Sequence, residues 1–137
     1  MFQNPTSVRI RQLLGSVKTI AVVGFSPKPY RASHGVARAM QTFGYRVIPV
    51  RPGLVEGLGE KAYARLAELP EPPDLVDVFR APEHVADIVD ECIALKLGNL
   101  WLQEGVVDEA AAQRAVAAGI TTVMDRCILK DYVALMR

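Results

Sequence analysis

The chain has 137 residues, half of them hydrophobic and 23% charged, and its formal net charge is +1. That length predicts one domain over 1–137, able to bury roughly 70% of its unfolded surface without a disulfide or metal. The near-zero charge speaks against a nucleic-acid partner. No stretch approaches the ~20 apolar residues that cross a bilayer, and residues 1–14 hold no signal-peptide run, so a cytoplasmic protein with no membrane partner is expected.

Thr6 or Ser7 can cap an opening helix through Leu14, with Gly15 as its stop; residues 1–17 form an N-terminal helical extension. Lys18 to Val23 is an unbroken apolar run, the pattern of a parallel strand buried on both faces, and it ends in Gly24. After a loop with Pro27 and Pro29, Ser33 can cap a helix whose Val36, Ala37, Met40 and Phe43 share one stripe, with Gly44 ending it. Tyr45 to Val50 reads as the second strand, 53–59 as a glycine-rich loop, and Tyr63 to Glu68 as a short helix. Leu75 to Phe79 is the third strand, and Pro82 opens a helix where a missing N–H costs least. That helix carries an apolar stripe through Ile93 and stops at Gly98. Leu100 to Gln103, an alanine-rich helix over Asp108 to Ala118, a strand from Ile120 to Met124 and a helix from Ile128 to Met136 complete the chain.

Regular alternation of strands and helices with short connections predicts an α/β fold. It is a Rossmann-like doubly wound parallel sheet of about five strands, with helices on both faces. In such sheets ligands lie beyond the carboxyl ends of the strands, at the point where strand order reverses.

The turn after the first strand is the most informative. Gly24 permits a sharp bend, and Ser26, Lys28, Arg31 and Ser33 bring hydroxyls and cations to a helix N-terminus, which favours an anion. An ordinary solvated loop is the alternative. The dinucleotide fingerprint is absent, because Phe25, Ser26 and Pro27 stand where further glycines would allow close approach of a pyrophosphate. At the end of the second strand, where an NAD-binding domain places an acid for the ribose hydroxyls, this chain has Arg51 and Pro52. NAD is disfavoured, and NADP or another nucleotide with a phosphorylated ribose fits better; a plain surface charge is the other reading of Arg51. Arg80 with Asp77, and Arg126 with Asp125 or Asp131, can be structural ion pairs. Cys92 and Cys127 have no metal-binding spacing and are expected to be reduced, mostly buried thiols.

Taken together, IAVVGFSPKPYRASHGVA (20–37), GYRVIPVRPG (44–53), GEKAY (59–63), DLVDVFRAPE (74–83), LWLQEGVV (100–107) and VMDRC (123–127) resemble a known family. It is that of the stand-alone CoA-binding proteins related to the N-terminal CoA-binding domain of the succinyl-CoA synthetase α subunit. The resemblance implies coenzyme A as the ligand, with Gly24, Ser26, Lys28, Arg31 and Ser33, together with Phe25 of the same turn, at its phosphates. Val50, Arg51 and Pro52 would lie along the adenosine end. Phe79, Arg80, Ala81 and Pro82 would flank the adenine, and Gln103, Glu104 and Gly105 would stand near the pantetheine arm. The family more often has Asn-Pro where this chain has Arg51-Pro52, so a contact of Arg51 with the ribose 3′-phosphate is argued from charge alone.

His34 beside the phosphate loop is either a ligand contact or a plain helix-start residue, and His84 reads as a surface residue. The synthetase's phosphorylatable histidine belongs to a domain absent here, and no catalytic triad or metal motif stands out. Three classes stay open. The leading one is a non-catalytic CoA or acyl-CoA module with a possible protein partner. The others are an NADP-dependent oxidoreductase with an atypical phosphate loop, and a redox protein whose Cys127 forms a mixed disulfide with the CoA thiol.

Overall fold

The computed structural model describes residues 1–137. Its centre is a five-stranded parallel sheet of β1 (Thr19–Val23), β2 (Arg46–Val50), β5 (Leu75–Val78), β6 (Asn99–Leu102) and β7 (Thr121–Met124), in the order β2-β1-β5-β6-β7. A two-residue hairpin, β3 (Glu56–Gly57) and β4 (Glu60–Lys61), stands beside β2. Helices α1 (Ser7–Ser16), α2 (Ala32–Thr42) and α5 (Ile128–Met136) cover one face, and α3 (Val85–Ala94) and α4 (Glu109–Ala117) the other. No helix is long and apolar enough to cross a membrane.

The apolar runs explain the layering. In β1, Ile20 and Val22 pack toward α1, α2 and α5, while Ala21 and Val23 pack toward α3 and α4; alternate residues of β5 and β6 divide in the same way. Trp101 points into the first layer and satisfies its indole N–H on the carbonyl of Arg126 at 2.7 Å. The chain goes from β1 outward to β2, then returns to lay β5 on the opposite side of β1. The switch in direction therefore opens between the carboxyl ends of β1 and β5.

Several boundaries differ from the sequence expectation. Thr6 does cap α1, accepting from the Arg9 amide at 3.2 Å, but the helix runs through Gly15 to Ser16. Arg31, not Ser33, occupies the N-cap of α2, and Ser33 lies in its first turn. Lys96, at φ 56°, takes the left-handed position after α3 that was expected of Gly98. The 53–59 loop is half strand: Leu58 and Gly59 both have positive φ, as a tight two-residue hairpin turn requires, and Gln41 holds the Leu58 carbonyl at 2.8 Å. Tyr63 is not helical. It bridges to Val50 and exchanges backbone hydrogen bonds with Pro49 and Arg51.

The outer edge of β7 is closed by a side chain. Asn4 donates to the Met124 carbonyl at 2.9 Å and accepts from the Met124 amide at 2.8 Å, standing in for a neighbouring strand. Asn4→Ala removes both bonds and is expected to lower stability by about 1–2 kcal/mol in chemical denaturation, whereas Ser16→Ala, which loses one part-buried bond at a helix end, is expected to cost less than about 1 kcal/mol.

Candidate functional site

The turn after β1 is held by its own side chains. Gly24 has φ 86° and donates to the Val50 carbonyl at 3.0 Å. A β-carbon there would lie 2.3 Å from the Phe79 carbonyl oxygen and 2.8 Å from Arg80 Cδ, so only glycine lets the β1 and β5 turns meet. Ser33 Oγ accepts from the Ser26 amide at 2.9 Å, Ser26 Oγ from the Lys28 amide at 3.2 Å, and His34 Nδ1 lies 3.0 Å from the Ser26 carbonyl. Phe25 is wholly buried, tilted against the His34 ring and pressed on Gly57. It anchors the turn from beneath.

Above this turn lie two joined crevices. One, of about 360 Å³, is lined by Gly24, Ser26, Pro27, Lys28, Arg31, Ala32, Ser33, Arg51 and Phe79. The other, of about 430 Å³, is lined by Gly24, Arg51, Pro52, Phe79 and Arg80. Lys28, Arg31, Arg51 and Arg80 make no ion pair; the five salt bridges of the protein involve Arg46, Arg65, Arg114, Arg126 and Lys130 instead. Arg51 is steadied by the Phe25 carbonyl, which accepts from Nη1 at 3.3 Å. The amides of Ala32 and Ser33, the first two of α2, have no protein acceptor and add the positive end of the helix. Four uncompensated cations, free amides and two hydroxyls around one opening fit a ligand with phosphates at more than one position.

The structure brings Gly24, Ser26, Lys28, Arg31, Ser33, Arg51, Pro52, Phe79 and Arg80 to these crevices, together with Pro27 and Ala32, which residue chemistry does not flag because they offer only backbone and shape. Other expected residues stand apart. Val50 turns its side chain into the core and contributes a carbonyl to Gly24. Ala81 and Pro82 are exposed at the start of a 3₁₀ turn before α3. His34 is half-buried behind the turn. Gly105, at φ 81°, donates to the Asp125 carboxylate at 2.7 Å, which ties the turns after β6 and β7 together. Arg126 forms a two-bond pair with Asp131, both at 2.7 Å, so its charge is spent structurally. Cys92 is buried, but Cys127 is partly exposed at the N-cap of α5 rather than buried.

A family profile described as a CoA binding domain matches residues 18–132 of this chain. The chain belongs to that CoA-binding domain family. It is 43% identical over 126 residues to the uncharacterized protein YneT of Bacillus subtilis (strain 168), covering 92% of this chain and 93% of YneT. A solved Thermus thermophilus protein, cell-free ID.343, is 39% identical with a TM-score of 0.91, over 96% of this chain and 99% of its own. The apo dinucleotide forming acetyl-coenzyme A synthetase 1 of Ca. Korarchaeum cryptofilum shares the fold at 20% identity and a TM-score of 0.69, over 79% of this chain and 26% of the synthetase.

One feature of this CoA-binding domain departs from the sequence expectation more sharply than the rest. Asp77 does not pair with Arg80. It is buried within β5 and accepts a hydrogen bond from Gln103 Nε2 at 2.8 Å. Burial pushes its carboxyl up from 3.8 to about 7, against the smaller downward pull of the Gln103 bond. Because the folded-state pKa stands above the unfolded one, the contribution of this group to stability is complete below about pH 4 and is lost as pH rises toward 7. Asp77→Asn keeps the side-chain shape without a charge to bury. Its stability relative to the natural protein is expected to rise by about 2 kcal/mol between pH 5 and pH 8 in urea titrations; an unchanged difference would place the Asp77 pKa near its ordinary value.

Proposed function

We propose that the paired crevices bind coenzyme A or an acyl-CoA, and that the protein is a carrier or sensing module for that ligand rather than a complete enzyme. The observation that carries the reading is the group of four cations, Lys28, Arg31, Arg51 and Arg80, gathered without carboxylate partners around two joined openings at the strand-order switch. Coenzyme A carries a pyrophosphate and a separate ribose phosphate, the latter with about two charges at neutral pH. Such a ligand asks for cations in two neighbouring places. Lys28, Arg31 and the free amides of α2 would take the pyrophosphate, and Arg51 with Arg80 the ribose phosphate. Membership of the CoA-binding domain family supports coenzyme A over NADP, whose charge pattern is similar. The side chains around the openings are cations, hydroxyls and an aromatic ring, with no carboxylate, imidazole or thiol placed for acid–base or nucleophilic work.

Calorimetric titration of the ligand-free protein with CoA, 3′-dephospho-CoA, NADP and NAD tests this. CoA is expected to bind saturably, the dephospho form more weakly and NADP not at all. Arg51→Ala is expected to weaken CoA by about tenfold and 3′-dephospho-CoA by less than about twofold. Equal losses would remove Arg51 from the ribose phosphate, and binding of NADP without CoA would replace the reading with a hydride-transfer one.

A further inference from the structure

The turn after β1 is held from behind by one titratable side chain. His34, in the first turn of α2, is half-buried, with its ring centre 5.2 Å from that of Phe25 and its Nδ1 3.0 Å from the Ser26 carbonyl oxygen. A carbonyl only accepts, so in the neutral ring Nδ1 carries the proton and Nε2 carries none. Nε2 has no partner in the protein, and because no sealed side-chain nitrogen or oxygen goes without one, it reaches solvent. The ring can therefore gain a second proton at Nε2 without releasing the turn. On the other side of that bond lies the crevice: Ser26 lines it, and so does Ser33, whose Oγ accepts from the Ser26 amide at 2.9 Å.

The free charges on the surrounding elements are mainly positive: Arg31 and Arg38 on its own helix, Lys28 on the β1 turn, Arg51 on the β2 turn and Arg80 on the β5 turn. Among the acids, Glu60 of the hairpin is spent on Arg46, Asp131 of α5 on Arg126, and Asp77 is buried against Gln103; Lys130 of α5 is spent on Glu104, and Glu56 and Lys61 complete the hairpin. No carboxylate forms an ion pair with His34. An imidazolium behind an empty crevice is thus opposed by cations, and phosphates that fill the crevice reverse that field. We propose that phosphate binding at the crevice is coupled to protonation of His34, a positioning residue that holds the Ser26 carbonyl from behind and brings a further positive charge to the turn. The inference rests on the CoA reading above and adds to it regulation of the same site by pH. The bound state holds the proton more firmly, so a proton is taken up as the ligand binds. By linkage, affinity is highest where the ring is charged, falls as pH rises through the histidine range and levels off above it.

The probe is 3′-dephospho-CoA, whose pyrophosphate keeps its charges across the neutral range, whereas the ribose phosphate of CoA itself titrates near about pH 6. Calorimetric titrations at about pH 6 and about pH 8 compare the natural protein with His34→Gln, which keeps an N–H for Ser26 but has no ring to charge. The ratio of the two affinities is expected to be about threefold larger in the natural protein, with roughly a third of a proton more taken up per ligand near pH 7. Asp77, which also titrates in this range, is common to both proteins, so the difference belongs to His34. At about pH 8 His34→Gln is expected to bind within about twofold of the natural protein, whereas His34→Phe, which keeps the contact with Phe25 and loses the donor, is weakened about fivefold. Equal ratios in the natural protein and His34→Gln would overturn the inference, as would full affinity in His34→Phe. Should the variants fail to fold, the natural protein has only two histidines to follow by NMR. The titration of the His34 ring is expected to move to higher pH when the ligand is added, and an unmoved titration would overturn the coupling. A natural protein that binds 3′-dephospho-CoA with the pH profile of His34→Gln would sink this inference alone, whereas one that binds neither CoA nor its dephospho form would take the CoA reading with it.

Discussion

The carbonyl of Phe79 occupies the space that a β-carbon at position 24 would need, and much of the molecule follows from that contact. It lets the ends of β1 and β5 close on each other at the point where the strand order reverses. The turn after β1 can then rise over the sheet edge with its amides and hydroxyls directed at one opening. Phe25 beneath and Ser33 behind hold the turn in that position, so the polar groups above need no ligand to organise them. A rigid cradle of this kind spends little conformational entropy when a phosphate arrives.

Charge is distributed with the same economy. The cations away from the crevice that pair do so at the surface or along helices: Arg46 with Glu60, Arg114 with Asp90, Lys130 with Glu104. Those around the crevice are left without acids, and they repel one another across it. A domain with a net charge of +1 thus presents a strongly positive spot on an otherwise balanced surface. Asp77, two residues before Phe79, is withdrawn into the sheet, where burial rather than a cation governs its ionisation.

The fold was legible in the sequence because its signals are local and repeat: apolar runs without alternation for the inner strands, one-sided stripes for helices, glycines where the chain turns. The basic turn was legible for the same reason, since Ser26, Lys28, Arg31 and Ser33 lie within a few residues of one another. What escaped was set by distance. Nothing near Asp77 in the sequence says that Gln103, 26 residues later, will reach it; the nearer Arg80 looks the better partner. The sign that something was unusual was present, a carboxylate inside the apolar run of 75–79. Leu58 shows the reverse limit: a leucine in the left-handed region is a poor local choice, made tolerable by partial burial and by the Gln41 bond to its carbonyl. The places of Val50, Ala81 and Pro82 could be read from the turn they belong to, but not the direction in which their side chains point.

Both borders of the sheet are partly occupied by the chain itself. At β7, the Asn4 amide takes the donor and acceptor of Met124; at β2, Tyr63 takes the carbonyl of Pro49 and the amide of Arg51, and Pro49 has no N–H to offer. A strand from another molecule would find the outward groups of Met124, Pro49 and Arg51 already taken, which shortens the stretch of either border open to edge addition. An association through helix faces would leave the strands as they are in the single chain.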